Sequence, residues 1–490
     1  MIDVLRAEWT KFRSVRGWVL GAVAVVLLTV LVGLIGRSEC SYPGPDGRDT
    51  ACTLPLGPDG TAVTDSFYFV HQPLTGDGAI TAHVASLTGE LHAHGDTTPQ
   101  TVPWAKAGVM IKETTSQGSS YAAVLVTGGH GVRMQHDFTG DTAGSATGRW
   151  LRLERKGKNI TGYEGSDGSH WTPLGTVTLH GSPTTVQIGL FVTSPPYTEI
   201  KKESLGGVIA TGGATVSTGT FDNVSRNGPW NGTSVTSAAD GIPSDAVGYT
   251  EQNGTFVVRG TGDIAPVVPG GPSAGATITQ TLTGTFAGLI GVIVLATLFI
   301  TAEYRRGLIR LTFTASPHRG RVLVAKALVI GAVTFVGGLI AAGIAVPIGK
   351  KILKDNGNFV LPVSMLTEIR VIVGTAALLA VSAVLALGIA ATVRRSASAV
   401  TAVIVAIVLP YLIALAPVLP LGVSQWLLRL TPAAAFSIQQ SIQAYPQVAN
   451  EYAPYNGYFP LPPLGGFAVL CLYAVAALGL AVVLVRRRDA

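Results

Sequence analysis

Six nearly uncharged runs of about 20 residues each constrain this chain more than any other feature. They cover 18–36, 283–302, 322–348, 371–393, 397–418 and 466–485. Such a run is long enough to cross the hydrocarbon core of a bilayer. Inside that core only a helix satisfies the backbone of a single run. The first run continues past the apolar length of a signal peptide and lacks a small-x-small cleavage site before Arg37, so it reads as a retained anchor. The 490 residues are therefore split. Apolar stretches dominate both ends, and the mean hydropathy is +0.43, yet 37–282 reads as a polar, Gly- and Thr-rich globular insert.

The net charge of +6 carries no nucleic-acid signal, because the basic residues cluster beside the apolar runs. Lys11, Arg13 and Arg16 precede the first run. Arg305, Arg306, Arg310, Arg319 and Arg321 follow the second, Arg394 and Arg395 the fourth, and Arg486, Arg487 and Arg488 the sixth. The positive-inside rule then expects cytoplasmic N- and C-termini and an extracytoplasmic segment 37–282. Lys350, Lys351, Lys354 and Arg370 oppose that assignment, from the loop between the third and fourth runs. Cys40 and Cys52 lie in the outside segment, where a local disulfide is expected. Cys471 sits within the last run and reads as a small core residue.

From Asp65 to Val224, short alternating runs broken by Gly, Asp and Asn argue an all-β sandwich. The series Trp104-Ala105-Lys106-Ala107-Gly108-Val109-Met110-Ile111, Trp150-Leu151-Arg152-Leu153, Thr161-Gly162-Tyr163, Asp167-Gly168-Ser169-His170-Trp171-Thr172, Ile188-Gly189-Leu190-Phe191-Val192 and Thr220-Phe221-Asp222-Asn223-Val224 resembles jelly-roll domains of the concanavalin-like lectin/glucanase superfamily. The resemblance implies sugar binding, sugar cleavage or a spacer. Glu90, Glu113, Asp137, Glu154 and Asp167 could supply the paired carboxylates of a glycosidase, but none falls in the acidic strand motif of the sandwich glucanases. Catalysis is not expected. Trp104, Trp150 and Trp171 are the candidates for stacking on a glycan. His92 and His94 fall on one strand face, near His83 and Asp96, but no third metal ligand is evident and no metal site is expected. The sequons at Asn159, Asn223, Asn231 and Asn253 are incidental in a bacterial host, which the Ala-, Gly- and Val-rich composition suggests. Residues 227–282, rich in Gly, Ser, Thr and Pro, read as a linker with one strand at 255–258.

The spans lack what would let them work alone. Their middles hold almost no ionisable residues for a proton relay, and no G-x-x-x-x-G-K-[ST] loop binds ATP. Any energy must come from another polypeptide. Two segments could receive it. In 5–16, Leu5, Trp9 and Phe12 recur on one helical face amid Arg6, Lys11 and Arg13. In 303–321, Leu308, Ile309, Thr312 and Phe313 form a short amphipathic helix stopped at Ser316-Pro317. Glu8-Trp9-Thr10-Lys11-Phe12-Arg13-Ser14 resembles the N-terminal elbow helix of six-span ABC exporter permeases. Glu303-Tyr304-Arg305-Arg306-Gly307, Thr314-Ala315-Ser316-Pro317 and Arg319-Gly320-Arg321 through Lys326 resemble their stretch from span two through the coupling helix into span three.

The resemblance implies a cytoplasmic ATP-binding subunit, with ATP and Mg bound there and no cofactor in this chain. That subunit docks on the elbow and on Glu303, Tyr304, Arg305, Arg306, Arg310, Phe313, Pro317 and Arg319. A second permease half, identical or a sister, completes the path in the bilayer. The large outside insert departs from the family, which usually has a short loop there. The expected architecture is thus mixed. Residues 1–36 form the elbow and first span, 37–226 a β-sandwich, 227–282 a linker, and 283–490 five further spans with the coupling loop 303–321. The competing class is a membrane-anchored glycan-binding or sensing protein without transport. Aromatics and prolines in 421–463 read as an outer membrane-border segment, with 432–443 dipping back as a short helical hairpin.

Overall fold

The computed structural model describes all residues except 1, 36–38, 44–48, 94, 203–207, 227, 236–241, 271–274, 306–318, 417–418, 451 and 489–490. Contacts divide the chain into two units. One contains Met1–Cys52, Ala276–Ala444 and Glu451–Ala490, and the other Thr53–Gly275 with Tyr445–Asn450.

The first unit is helical. Its helices are α1 (Ile2–Ser14), α2 (Arg16–Leu34), α3 (Thr285–Arg305), α4 (Arg319–Asp355), α5 (Met365–Val393), α6 (Ser396–Leu415), α7 (Leu421–Leu430) and α8 (Pro463–Arg488). Among the described residues six of these, α2 to α6 and α8, are long and apolar enough to cross a membrane. They correspond one for one to the six apolar runs. Small residues let the first two spans touch: a Cβ on Gly284 or Gly288 would overlap Thr29 of α2. The helical hairpin expected at 432–443 is a single short helix instead. Residues Pro432–Gln439 form a 3-10 helix buried along its whole length. It is seated against Gly374 of α5 and Gly466 of α8, where any side chain would collide with Ile438, Ala434 or Ser437. Gln439 Nε2 donates to Thr285 Oγ1 at 3.3 Å and to Thr375 Oγ1 at 3.1 Å, so one buried amide joins three elements.

Of the four basic residues that opposed the topology, Lys350 and Arg370 have local partners. Lys350 pairs with Glu368 at 2.9 Å, and Arg370 donates to the carbonyl of Gln440 at 2.7 Å. Cys40 and Cys52 are disulfide-bonded across the hairpin of β1 (Ser41–Pro43) and β2 (Asp49–Ala51). Their amides donate to the carbonyls of Asn356 and Gly357 just beyond α4, at 3.1 and 3.0 Å.

The second unit is all-β. Its strands are β3 (Val63–Asp65), β4 (Tyr68–Thr75), β5 (Gly78–Ala93), β6 (Asp96–Pro99), β7 (Lys106–Lys112), β8 (Tyr121–Thr127), β9 (Val132–His136), β10 (Gly140–Ala143), β11 (Trp150–Lys156), β12 (Asn159–Gly165), β13 (Thr172–Thr178), β14 (Thr185–Thr193), β15 (Tyr197–Lys202), β16 (Val208–Asp222), β17 (Asn231–Ser234), β18 (Gly248–Gln252), β19 (Thr255–Gly260) and β20 (Ile264–Pro266). A seven-stranded antiparallel sheet, β10-β9-β8-β7-β14-β4-β17, packs on a nine-stranded one whose main path is β13-β12-β11-β5-β16-β19-β18. Val109, Val124 and Ile188 from the first sheet meet Ile80, Leu151 and Phe221 from the second in one core.

The expected linker departs most from the structure. Residues 231–266 supply β17 to one sheet edge, β18 and β19 to the other sheet, and β20 as partner of β3. Phe256 and Val258 alternate into the core along β19. Neighbouring strands supply the burial that this Gly- and Thr-rich sequence signals only weakly.

The outer face of the seven-stranded sheet is covered by the chain itself. β3 and β20, the first and last strands of the unit, pair with one another and bury Val63 and Ile264 beside Met110, Tyr121 and Phe191. Two lysines of β7 hold this ribbon. Lys112 donates to Asp65 and to the Ser119 carbonyl, both at 2.8 Å, with the rings of Phe67, Tyr121 and Phe138 around it. Lys106 pairs with Asp263 and donates to the Ile264 carbonyl. Burial pushes the Asp65 carboxyl up and the Lys112 ammonium down, each opposed by its partner.

Candidate functional site

α1 is helical from Ile2, but its buried face differs from the expected one. Glu8 and Phe12 are enclosed, while Trp9 stays 48% exposed and stacks on Phe12 at 6.4 Å. The reason is a buried cation opposite. Lys326, in the second turn of α4, is only 1% exposed. Its Nζ donates to Glu8 Oε2 at 2.5 Å and to Glu303 Oε1 at 2.6 Å. Lys11 closes the cluster from the rim, 2.8 Å from Glu8 and 3.5 Å from Glu303.

Two carboxylates and two ammoniums thus gather where α1, the end of α3 and the start of α4 meet. Burial acts to lower the Lys11 ammonium, but its pairing with Glu8 and Glu303 prevails and leaves it above its ordinary value. An aromatic floor seals the cluster. The Lys326 ammonium lies 4.9 Å from the Phe299 ring, which meets Phe12 and Trp18 edge-on at 5.8 and 5.5 Å. Unpaired charges here would be strongly disfavoured, so the four groups act as one.

The cluster brackets the basic inter-span segment. Glu303, Tyr304 and Arg305 form the last turn of α3, and Arg319 begins α4. Tyr304 packs against the helical core under the Arg394 guanidinium, 5.2 Å away, while Arg305 is exposed. Gly320 lets α4 approach Val482 and Arg486 of α8. Arg306, Arg310, Phe313 and Pro317 lie outside the described residues, as does the amphipathic turn expected around them. Arg13, at the end of α1, is exposed. From sequence alone Lys326 is marked only as the end of the motif that leads into span three. Its signal was a single lysine a few residues inside an apolar run, with acids at 8 and 303 to answer it.

The three tryptophans separate. Trp104 is 6% exposed, stacked on His130 at 4.1 Å with the Arg133 guanidinium 5.7 Å from its ring. That is core packing beside the seven-stranded sheet, so Trp104 offers no sugar platform. Trp150 and Trp171 are half-buried at one end of the nine-stranded sheet. Trp150 lies between His83, 5.0 Å away, and Gly168, where a Cβ would come within 2.7 Å of the indole.

The acidic candidates have local duties. Glu90 pairs with Arg259, Glu113 accepts from the amides of Gly181 and Ser182, and Asp137 accepts from Ser120. Glu154 pairs with Lys156, and Asp167 caps its own turn. Among the described residues no three His, Cys, Asp or Glu gather as metal ligands, and His94 is not among them.

Six spanning-length helices joined to a large β domain define a multi-pass membrane protein. The family model described as ABC-2 family transporter protein matches residues 8–490, and the chain belongs to that family. It is accordingly the membrane-embedded subunit of an ABC transporter, and membership implies an ATP-binding partner. No curated protein sequence matches it. One solved structure, a functionally unknown protein from Saccharomyces cerevisiae, is 15% identical. That match covers 41% of this chain and 94% of the other, with a TM-score of 0.18, too slight to bear on the fold.

Proposed function

We propose that this subunit exports its cargo, with both termini and 303–321 in the cytoplasm and 37–282 outside. A separate ATPase, which holds ATP and Mg, seats on α1 and on the 303–321 segment. A second permease half, identical or a sister chain, completes the path. In this reading a glycan contact of the β domain falls to Trp150 and Trp171, because Trp104 is enclosed.

One observation carries the proposal: the buried cluster of Glu8, Lys326 and Glu303 fastens the N-terminal helix to both ends of the basic segment. A push on either is delivered to the first three spans together. Such a push shifts the balance of two helix arrangements according to how differently the ATPase binds them.

The test is purification of the full chain from its native membrane. A nucleotide-binding subunit is expected to accompany it, and to be lost with Arg305→Glu combined with Arg310→Glu. Recovery of the chain with no ATPase, or unchanged recovery with the double variant, refutes the reading.

A further inference from the structure

We propose that Lys326 is a shared latch: a positioning residue that holds Glu8 and Glu303 together in one transport state and releases Glu303 in the other. The inference rests on the functional reading above and adds to it the residue through which motion passes.

The two carboxylates are not equivalent. Glu8 has its side chain 2% exposed, with one oxygen on Lys11 and the other on Lys326. Glu303 is 13% exposed and uses only Oε1, shared between Lys326 and Lys11. Its Oε2 is buried with no hydrogen-bond partner among the described residues. A buried carboxylate oxygen without a donor is uncommon, because desolvation is then uncompensated. Glu303 is therefore the incompletely satisfied member, and it sits two residues before the end of α3, at the mouth of the basic segment.

Among the described residues, the charged groups facing Lys326 are Glu8 and Lys11 from α1 and Glu303 from α3. If α3 shifts against α4, Glu303 can exchange its bond to Lys326 for a cationic donor of the ATPase. Glu8 keeps Lys326, so the ammonium is never left bare. The Phe299 ring beneath it lowers the cost of the intermediate arrangement. A lysine suits this use, since its ammonium is a compact charge on a flexible stem.

The test uses the permease–ATPase complex in proteoliposomes with Lys326→Met, Glu303→Gln and Lys326→Arg. Lys326→Met is expected to lower cargo moved per ATP hydrolysed by about tenfold, a typical coupling between two sites, with the ATPase still bound. Glu303→Gln, which keeps the shape, should lower the same ratio. Lys326→Arg, which keeps a cation between the two carboxylates, should recover part of it.

Hydrogen exchange on the purified chain alone gives a second readout. Lys326→Met should loosen Ile2–Ser14 and the last turn of α3 together. An unchanged transport-to-hydrolysis ratio, or loosening of one helix without the other, overturns the latch. Absence of any ATPase from the wild-type preparation overturns the functional reading instead.

Discussion

Removing Lys112 tests how the β domain is closed. Both Lys112 and Asp65 have side chains with no solvent exposure, 2.8 Å apart. At an effective dielectric of about 20, unit charges at that distance attract by about 6 kcal/mol. Desolvation of two ions offsets most of this, so the intact pair is close to neutral. A single change is not. Lys112→Met leaves the Asp65 carboxylate without its buried cation, beside the Gly118 amide 2.7 Å away. Asp65→Asn leaves a buried ammonium with the Ser119 carbonyl and three rings. Each should cost about 3–5 kcal/mol. The double variant Lys112→Met/Asp65→Asn removes both charges and keeps an oxygen for Gly118, so it should recover most of the loss. The assay is denaturant unfolding of the full chain in detergent, with hydrogen exchange at β3, β7 and β20 to locate the change. Singles costing under about 1 kcal/mol, or a double as damaging as their sum, would refute the account.

Three further outcomes follow from other sites. Burial holds His71 below the ordinary histidine value of 6.5, against a hydrogen bond to Gln187 that raises it. The unfolded chain therefore takes the proton first, and stability present above pH 6.5 is lost as the pH falls below it. His71→Asn should flatten that slope in a pH series of unfolding, and an unchanged slope excludes His71 as its source. Cys40→Ser opens a loop with a sequence separation of 12. It should destabilise the 41–51 hairpin by about 3 kcal/mol, read as faster amide exchange there. Gly466→Ala drives a methyl into the Ala434 carbonyl and Ser437. Overpacking of this kind should cost about 1–3 kcal/mol and loosen Pro432–Gln439 in hydrogen exchange, and a silent variant would show that α8 can shift.

The six spans were readable because length and apolarity are properties of a single segment. Each apolar run became one helix, whereas the hairpin expected at 432–443 is a single short helix, Pro432–Gln439. The strands at 231–266 were not readable in the same way. Asn231–Ser234 and Gly248–Gln252 carry little alternation of their own, and their pairing is set by β4 and β19. The elbow was half readable. Phe12 faces inward as expected, but Trp9 does not, because Glu8 must meet a lysine 318 residues away. Helical periodicity ranks faces by apolarity, and it misplaces a face that is buried for the sake of an ion pair.

The buried lysines of the two units have a common position. Lys326 ties α1, where the helical unit begins, to α3 and α4. Lys112 and Lys106 tie β3 and β20, where the chain enters and leaves the β unit, to β7. Apolar contact alone would bury such terminal elements about as well in several registers, since it is non-directional. An ion pair with both partners enclosed admits one register, because a slip by one residue leaves two bare charges. Net stability is therefore a poor measure of what these pairs contribute. Replacing a whole pair by apolar residues should leave unfolding energies nearly unchanged, while the tied element samples more than one docking position. Exchange kinetics that broaden in α1 or in the β3–β20 ribbon, at unchanged global stability, would be the mark of that role. A single sharp population in the charge-free variants would show that packing already selects the register.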